Sequence, residues 1–350
     1  MTNQQTNESE NHDELIRKRK RRRRKNYTLR RRLKKLGIVL GVIVGVVALI
    51  AIIMCILSAL GRQNLKAPVH DEGKVVYYNG HKYNYNENIV STLIIGYDQT
   101  EKDKYEGLSG QADFLLLMTL DTESGKLRGI SIPRDTMIEV GEYAGAAFIE
   151  KNTKMQIAKS YGYGDGKEKS CEITANSVSR LLYNMPIKYY TALNLEGIGP
   201  LNDSIGGVYL NPIETIPNTS IYKGQNITLM GNNAKAYVRY RDKNDVESSE
   251  MRRARQVQYV NEFYHQAFKG ANGLQTAIDL YNVASNYIIT NLGLPEFTYY
   301  AQNVLNHGIG NFDIKSVPGQ ITQPDSLVEF NADQNQLYEL VLDTFYIREN

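Results

Sequence analysis

The chain has 350 residues, 42% of them hydrophobic, with 25 Tyr, no Trp and two Cys, enough for one or two domains with a sizeable core. Its formal charge of +3 hides a segregation: residues 1–70 carry 16 basic and 4 acidic groups, and the remainder is formally −9. Cys171 is alone outside the apolar run that holds Cys55, which excludes a disulfide within the larger part, and His12, His70, His81, His265 and His307 show no metal-ligand spacing, which argues against a zinc enzyme.

From the N-terminus, a dozen polar residues read as a disordered tail. Fourteen Lys/Arg and no acid follow between Arg17 and Lys35. Leu36 to Leu60 is then uncharged and almost wholly apolar, and at about 1.5 Å per residue it crosses a hydrocarbon core of about 30 Å. The basic block assigns residues 1–35 to the cytoplasm and residues 61–350 to the outside by the positive-inside rule. That block reads as topogenic charge against anionic lipid heads rather than as a nucleic-acid site. A cleaved signal peptide, the competing reading, has an apolar core of only about 7–15 residues.

Residues 61–75 read as a linker leaving the membrane. Val75–Tyr78 and Lys82–Tyr85, flanking Asn79-Gly80-His81, form a short hairpin. Ser91–Tyr97 and Phe114–Leu120 are apolar runs without polar alternation, the mark of central strands covered on both faces. Lys126–Pro133 is a third strand after the turn Asp121–Gly125. Spacing predicts helices over Glu172–Tyr183, Met251–Phe268 and Leu274–Ile289, a short strand over Ala236–Arg241, and loops at Gly206-Gly207 and 211–220. Leu337, Tyr338, Leu340, Val341 and Phe345 mark a further helix within an extension over 270–350 that carries no recognisable chemistry. The expected organisation is a tail (1–35), a transmembrane helix (36–60), a linker and hairpin (61–90) and a single α/β domain (91–350).

Chemistry converges on one sheet end. If the hairpin turn is centred between Glu123 and Ser124, opposed residues have numbers that add to 247, and Asp113 faces Arg134. Asp98 follows the strand 91–97 and joins them if that strand runs antiparallel to 114–120. An isolated surface pair of this kind contributes under about 1 kcal/mol, and Asp98 or Asp135 alone reads equally well as a turn or cap residue. More arginines follow. On a strand, Arg239 and Arg241 share a face; on a helix, Arg252, Arg255 and Gln256 share one and Arg253 is turned away by about 100°. Asp242, Asp245, Glu247 and Glu250 stand near enough in sequence to pair with them. The alternative partner is phosphate, whose oxygens match the arginine fork, and two carboxylates with phosphate oxygens make a magnesium site. No P-loop or kinase glycine loop is present, so a nucleotide is not the implied donor.

Six pieces, in order, resemble the LytR–CpsA–Psr family: Leu93–Asp98 (LIIGYD), Ala112-Asp113, Ser131–Thr136 (SIPRDT), Asp203–Val208 (DSIGGV), Tyr237–Arg241 (YVRYR) and Arg252–Gln256 (RRARQ). The resemblance implies an α/β fold with a central mixed sheet flanked by helices, and an apolar pocket for a polyprenyl chain beside an arginine-lined pyrophosphate site. It also implies transfer of teichoic acid, capsule or a related glycopolymer from undecaprenyl pyrophosphate to peptidoglycan, with Mg²⁺ or Mn²⁺ as cofactor. Carried over by position, Asp98 and Asp113 correspond to the metal-associated carboxylates. Arg134, Arg239, Arg241, Arg252 and Gln256 correspond to the pyrophosphate set, and Asp113, Arg134, Arg239 and Arg241 to the catalytic group, with Asp113 a candidate base. Gln111-Ala112-Asp113-Phe114 stands where the family pattern has Arg-Ser-Asp-Thr, Ser249 where it has an acid, and Gln156–Tyr161 where it has an asparagine-containing segment.

Two other readings use the same residues. A pyrophosphatase acting on lipid-linked intermediates would replace the sugar hydroxyl with water. A noncatalytic wall-binding or regulatory membrane protein would use the arginines merely to hold anionic polymer and tyrosines such as those in Tyr77–Tyr85 to stack on sugars.

Overall fold

A computed structural model describes residues 45, 48–65, 73–98, 110–139, 154–268 except 243, 244, 246 and 247, 279–307 except 281, 312–324 and 327–349. The basic tail and the first part of the apolar run lie outside the described residues. The chain divides into two compact units, Met1–Leu57 and Ser58–Asn350. The described part of the first unit is helical, and Ala48–Leu65 forms one helix long and apolar enough to cross a membrane. This corrects the linker expected from residue 61 at its start, because residues 61–65 continue the helix and belong to the second unit. Leu65 is buried there, and Asn64 donates from Nδ2 to Glu296 Oε1 at 2.7 Å. A Cβ on Gly61 would fall 2.1 Å from the carbonyl oxygen of Pro295, so only glycine permits that approach.

In the second unit, Val75–Tyr78 and His81–Tyr85 pair across Asn79-Gly80. Both turn residues have positive φ, 49° and 78°, the two-residue turn that matches strand twist. The main sheet contains β1 (Ile89–Asp98), β2 (Gln111–Asp121), β3 (Leu127–Ile132), β4 (Tyr189–Asn194), β5 (Ile288–Thr290) and β6 (Asp313–Ser316), in the order β5-β4-β1-β2-β3-β6. β1, β2 and β3 form an antiparallel meander, β4 lies parallel to β1, β6 parallel to β3, and β5 antiparallel to β4. The sheet is therefore mixed. β1, β3, β4 and β6 all run one way and release their C-terminal ends at a common edge.

Helices are α1 (Glu168–Leu181), α2 (Asn232–Arg239), α3 (Ser248–Ala267), α4 (Leu294–His307) and α5 (Gln334–Phe345). Strand alternation sends Leu93, Ile95, Leu115, Leu117, Ile130 and Ile132 to one core, closed by Val178 of α1, by Tyr161 and by Leu337, Val341 and Phe345 of α5. Ile94, Leu116, Met118 and Leu120 go to the other, with Leu65, Tyr299 of α4 and Val260 and Tyr264 of α3. Covering both faces explains why these strands lack polar alternation. A third cluster, with Val208, Leu229, Tyr237, Val238 and Tyr259, underlies α2 and α3.

Two expected elements change. Ala236–Arg241 is not a strand: α2 runs to Arg239, and Tyr240 turns extended at φ −50°, ψ 136°. Ala234, Tyr237 and Val238, all buried, have the i, i+3, i+4 spacing of a helix stripe. The helix expected over Leu274–Ile289 is borne out in part: residues 279, 280 and 282–284 are helical, its β-branched end enters β5, and residues 274–278 and 281 lie outside the described residues. The segment 270–350 is likewise no helical extension. Besides α4 and α5 it supplies β5 and β6 of the main sheet and the strands Gly319–Thr322, Glu329–Ala332 and Tyr346–Arg348.

Candidate functional site

The register of β2 and β3 runs from Leu115↔Ile132 to Leu120↔Leu127, the pairing expected from the turn. Asp113 therefore meets Arg134, and Arg134 Nη1 donates to Asp113 Oδ1. β1 is antiparallel to β2, which brings Asp98 to the same end. One irregularity matters: Gly96 pairs with Phe114 and Tyr97 with Ala112, so Asp113 is the extra residue of a β-bulge. A bulge re-aims the side chains around it. Ala112 remains in the Leu115/Leu117 core, and Asp113 is released to line the cavity on the Phe114 side.

That cavity, about 140 Å³, is walled mainly by apolar side chains including Ile94, Phe114, Leu195, Ile198, Val238 and Val260. Asp98, Asp113, Arg239, Arg252 and Gln256 line it as well. A smaller adjoining cavity, about 10 Å³ or one water in size, is bounded by Asp113, Arg134, Arg252, Arg253, Glu250 and Gln256 among others. Asp113, Phe114, Arg252 and Gln256 form the wall common to both. Tyr97 stacks on buried Tyr161 with ring centres 4.9 Å apart beside the larger cavity.

Charge in the site is only partly neutralised. Asp98 Oδ2 pairs with Arg239 Nη2 at 3.0 Å, and Arg252 Nη1 stands 3.8 Å from Asp113 Oδ1. Arg134 also donates from Nη2 to Gln111 Oε1, and its Nε lies 3.4 Å from Asp135 Oδ1 without a hydrogen-bonding geometry. Arg134 Nε, Arg241 Nε and Arg252 Nη2 are buried and find no hydrogen-bond partner among the described residues. Leaving a buried charged donor unmatched costs more than about 1–3 kcal/mol, so such a cluster favours an anion. Burial pushes the Arg252 guanidinium down to about 10; Asp113 opposes this, and Arg134 and Arg241 add to it. Arg252 remains a cation at neutral pH.

The expected site residues thus converge, with two qualifications. Arg241 lines neither cavity and enters through its repulsion of Arg252. Gln256 donates to the Val238 carbonyl oxygen at 3.1 Å while lining both cavities. The helix face splits differently from its spacing. Arg255, 1% exposed, turns inward, whereas Arg253 reaches the small cavity, paired with Glu250 and donating to Ser316 Oγ.

Sequence reasoning missed the support beneath Arg134. Gln156 and Asp135 are both buried; Gln156 Nε2 donates to Asp135 Oδ1 at 2.9 Å and to the Val328 carbonyl at 2.7 Å. The Asp203–Val208 segment is architectural. Asp203 Oδ1 accepts from the Gly231 amide at 2.7 Å ahead of α2, and a Cβ on Gly207 (φ +88°) would lie 2.7 Å from the Leu229 carbonyl oxygen.

The sequence model of the LytR_cpsA_psr family matches residues 60–344. The chain belongs to that family. Among similar proteins, the polyisoprenyl-teichoic acid–peptidoglycan teichoic acid transferase TagU of Bacillus licheniformis is 27% identical over 262 residues, 74% of this chain and 78% of its own length. The TagU of Bacillus subtilis is 32% identical over 206 residues, covering 58% of this chain and 60% of its own. The crystal structure of B. subtilis TagV superposes with a TM-score of 0.59 at 23% identity, over 73% of this chain and 95% of that one, which establishes the shared fold.

Proposed function

We infer that this chain transfers a glycopolymer from a polyprenyl pyrophosphate carrier to peptidoglycan. The observation that carries the reading is a mainly apolar cavity whose polar wall holds Asp98, Asp113, Arg239 and Arg252, with Arg134 on the small cavity next to it; Arg134 and Arg252 each keep a buried guanidinium nitrogen unmatched among the described residues. The TagU relatives are named for the same type of transfer. Arginine forks suit phosphate oxygens, and the apolar wall suits the isoprenoid next to them. In the transfer, the acceptor hydroxyl oxygen bonds to the phosphorus on the polymer side. The bond from that phosphorus to the bridging oxygen breaks, polyprenyl phosphate leaves, and the hydroxyl proton passes to a carboxylate, which we read as Asp113. Arg134, Arg239, Arg241 and Arg252 offset the charge on the phosphoryl oxygens.

Asp98 and Asp113 on one cavity fit a Mg²⁺ or Mn²⁺ ion whose other positions come from phosphate oxygens and water. Such an ion would supply charge neutralisation at the phosphates. The apolar helix is read as a single membrane anchor with the basic tail inside and the catalytic unit outside.

The test is incubation of the full chain in detergent micelles with a short-chain polyprenyl pyrophosphate–saccharide, peptidoglycan oligomers and Mg²⁺. Saccharide on the glycan, lost in Asp113→Ala and Arg134→Ala, is expected. Lipid phosphate without attachment would replace transfer with hydrolysis, and binding unchanged in both variants with no turnover would replace it with wall binding.

A further inference from the structure

The arginines of the site come from three places, the end of β3 (Arg134), the end of α2 (Arg239 and Arg241) and α3 (Arg252 and Arg253), and a further buried arginine ties the last two together. α2 ends at Arg239, and the carbonyls of its last turn need donors. Arg255, on α3, reaches them: Nε donates to the Tyr237 carbonyl at 2.8 Å and Nη2 to the Tyr240 carbonyl. Its neighbour Gln256 takes the Val238 carbonyl between them. One guanidinium therefore brackets Arg239 from both sides along the backbone, and Arg241 follows directly.

Nothing about Arg255 suits it to a ligand. Its side chain is 1% exposed, its Nη1 is paired with Glu214, and its guanidinium carbon lies 5.9 and 5.3 Å from the ring centres of Tyr237 and Tyr240. It lines neither cavity. A cation at a helix C-terminus is also favoured by the helix dipole. The planar fork is what permits two carbonyls and a carboxylate to be held at once; a lysine ammonium is a single point and cannot span them.

We propose that Arg255 is a positioning residue that locks the end of α2 to α3, holding Arg239 and Arg241 in register with Arg252 and Gln256 so that they meet the phosphates as one preorganised set. This rests on the pyrophosphate reading of the site. Glu214 completes the clamp by keeping the Arg255 charge matched.

The experiment is a double-mutant cycle on the full chain in micelles, read as inorganic pyrophosphate affinity by calorimetry, with amide hydrogen exchange over 237–242. Arg239→Ala is expected to weaken binding about tenfold in the native background, as loss of a charge-assisted contact does, and under about threefold beside Arg255→Lys, because the fork is already misplaced. Exchange over 237–242 rises in Arg255→Lys, while the overall fold persists. Should Arg255→Lys fail to fold, Glu214→Gln serves in the same cycle. Equal losses from Arg239→Ala in both backgrounds, or exchange that stays at the native rate, defeat the clamp. A native chain that binds no pyrophosphate defeats the reading of the site itself, a separate outcome.

Discussion

Asp113 is the single residue of β2 without a partner across β1, yet its carboxylate is held from the β3 side by Nη1 of Arg134. The bulge frees Asp113 from the pleat, and the arginine fixes where it goes. Asp113→Asn keeps the size and removes the negative charge. Transfer is expected to fall by about 10²–10³-fold, measured as glycan-linked saccharide, with near-native melting. An activity within twofold of native would remove Asp113 from the chemistry.

Gln156 supports Arg134 at one remove, through Asp135. Gln156→Leu leaves the Asp135 carboxylate and the Val328 carbonyl short of a buried donor, a loss of about 1–3 kcal/mol. A lower melting temperature in micelles is expected together with a reduced kcat, and Gln156→Glu, which also lacks the donor, should not restore either. A native melting curve for Gln156→Leu would show that water takes over both acceptors.

The larger cavity should discriminate among donors by chain length. Val260→Trp, on α3, places a ring in the apolar wall. KM for a long-chain donor is expected to rise about tenfold, equivalent to about 1.4 kcal/mol of lost apolar contact, with little change for a donor bearing one or two isoprene units. Equal effects on both would place the isoprenoid elsewhere.

Cys171 is fully buried against the main sheet, and burial pushes its thiol up to about 12, with Asp165, Glu168 and Glu172 adding to the rise. Only the thiolate reacts readily, so the folded chain should resist a maleimide at Cys171 at pH 8 and react there after denaturation. Reactivity would increase only as pH climbs toward 12. Peptide mass spectrometry of native and denatured samples reads the difference, and modification of Cys171 in the folded protein would contradict the packing of α1.

The strands carrying Asp98, Asp113 and Arg134 were legible because a tight turn with an Asp start fixes its own register. Asp121 Oδ1 accepts from the amides of Glu123 and Ser124, and every later pairing is counted from there. The bulge was not legible, since no residue type between Gly96 and Phe114 demands it. α2 was misread because YVRYR has the β-branched and aromatic content of a strand; the helix is decided by Ala234 and Ala236 before it and by the buried stripe beneath. β6 joins β3 in parallel from 181 or more residues away, beyond any local signal. Arg255 looked like its neighbours on α3, and only its surroundings separate a clamp from a ligand.

The strand Tyr346–Arg348 pairs with Tyr83–Tyr85, and β6 pairs with β3. The first hairpin of the second unit thus waits for the last strand, and the edge of the main sheet beside Arg134 waits for residues 313–316. Since loop closure precedes such non-local contacts, folding of this unit cannot be completed residue by residue as the chain emerges. Until those late segments arrive, the outer edges of β2's partner strand and of the hairpin remain unpaired, open to strands of other chains. A protein delivered across a membrane in this order would still need protection after its last site arginine has emerged, until residues 313–316 and 346–348 follow.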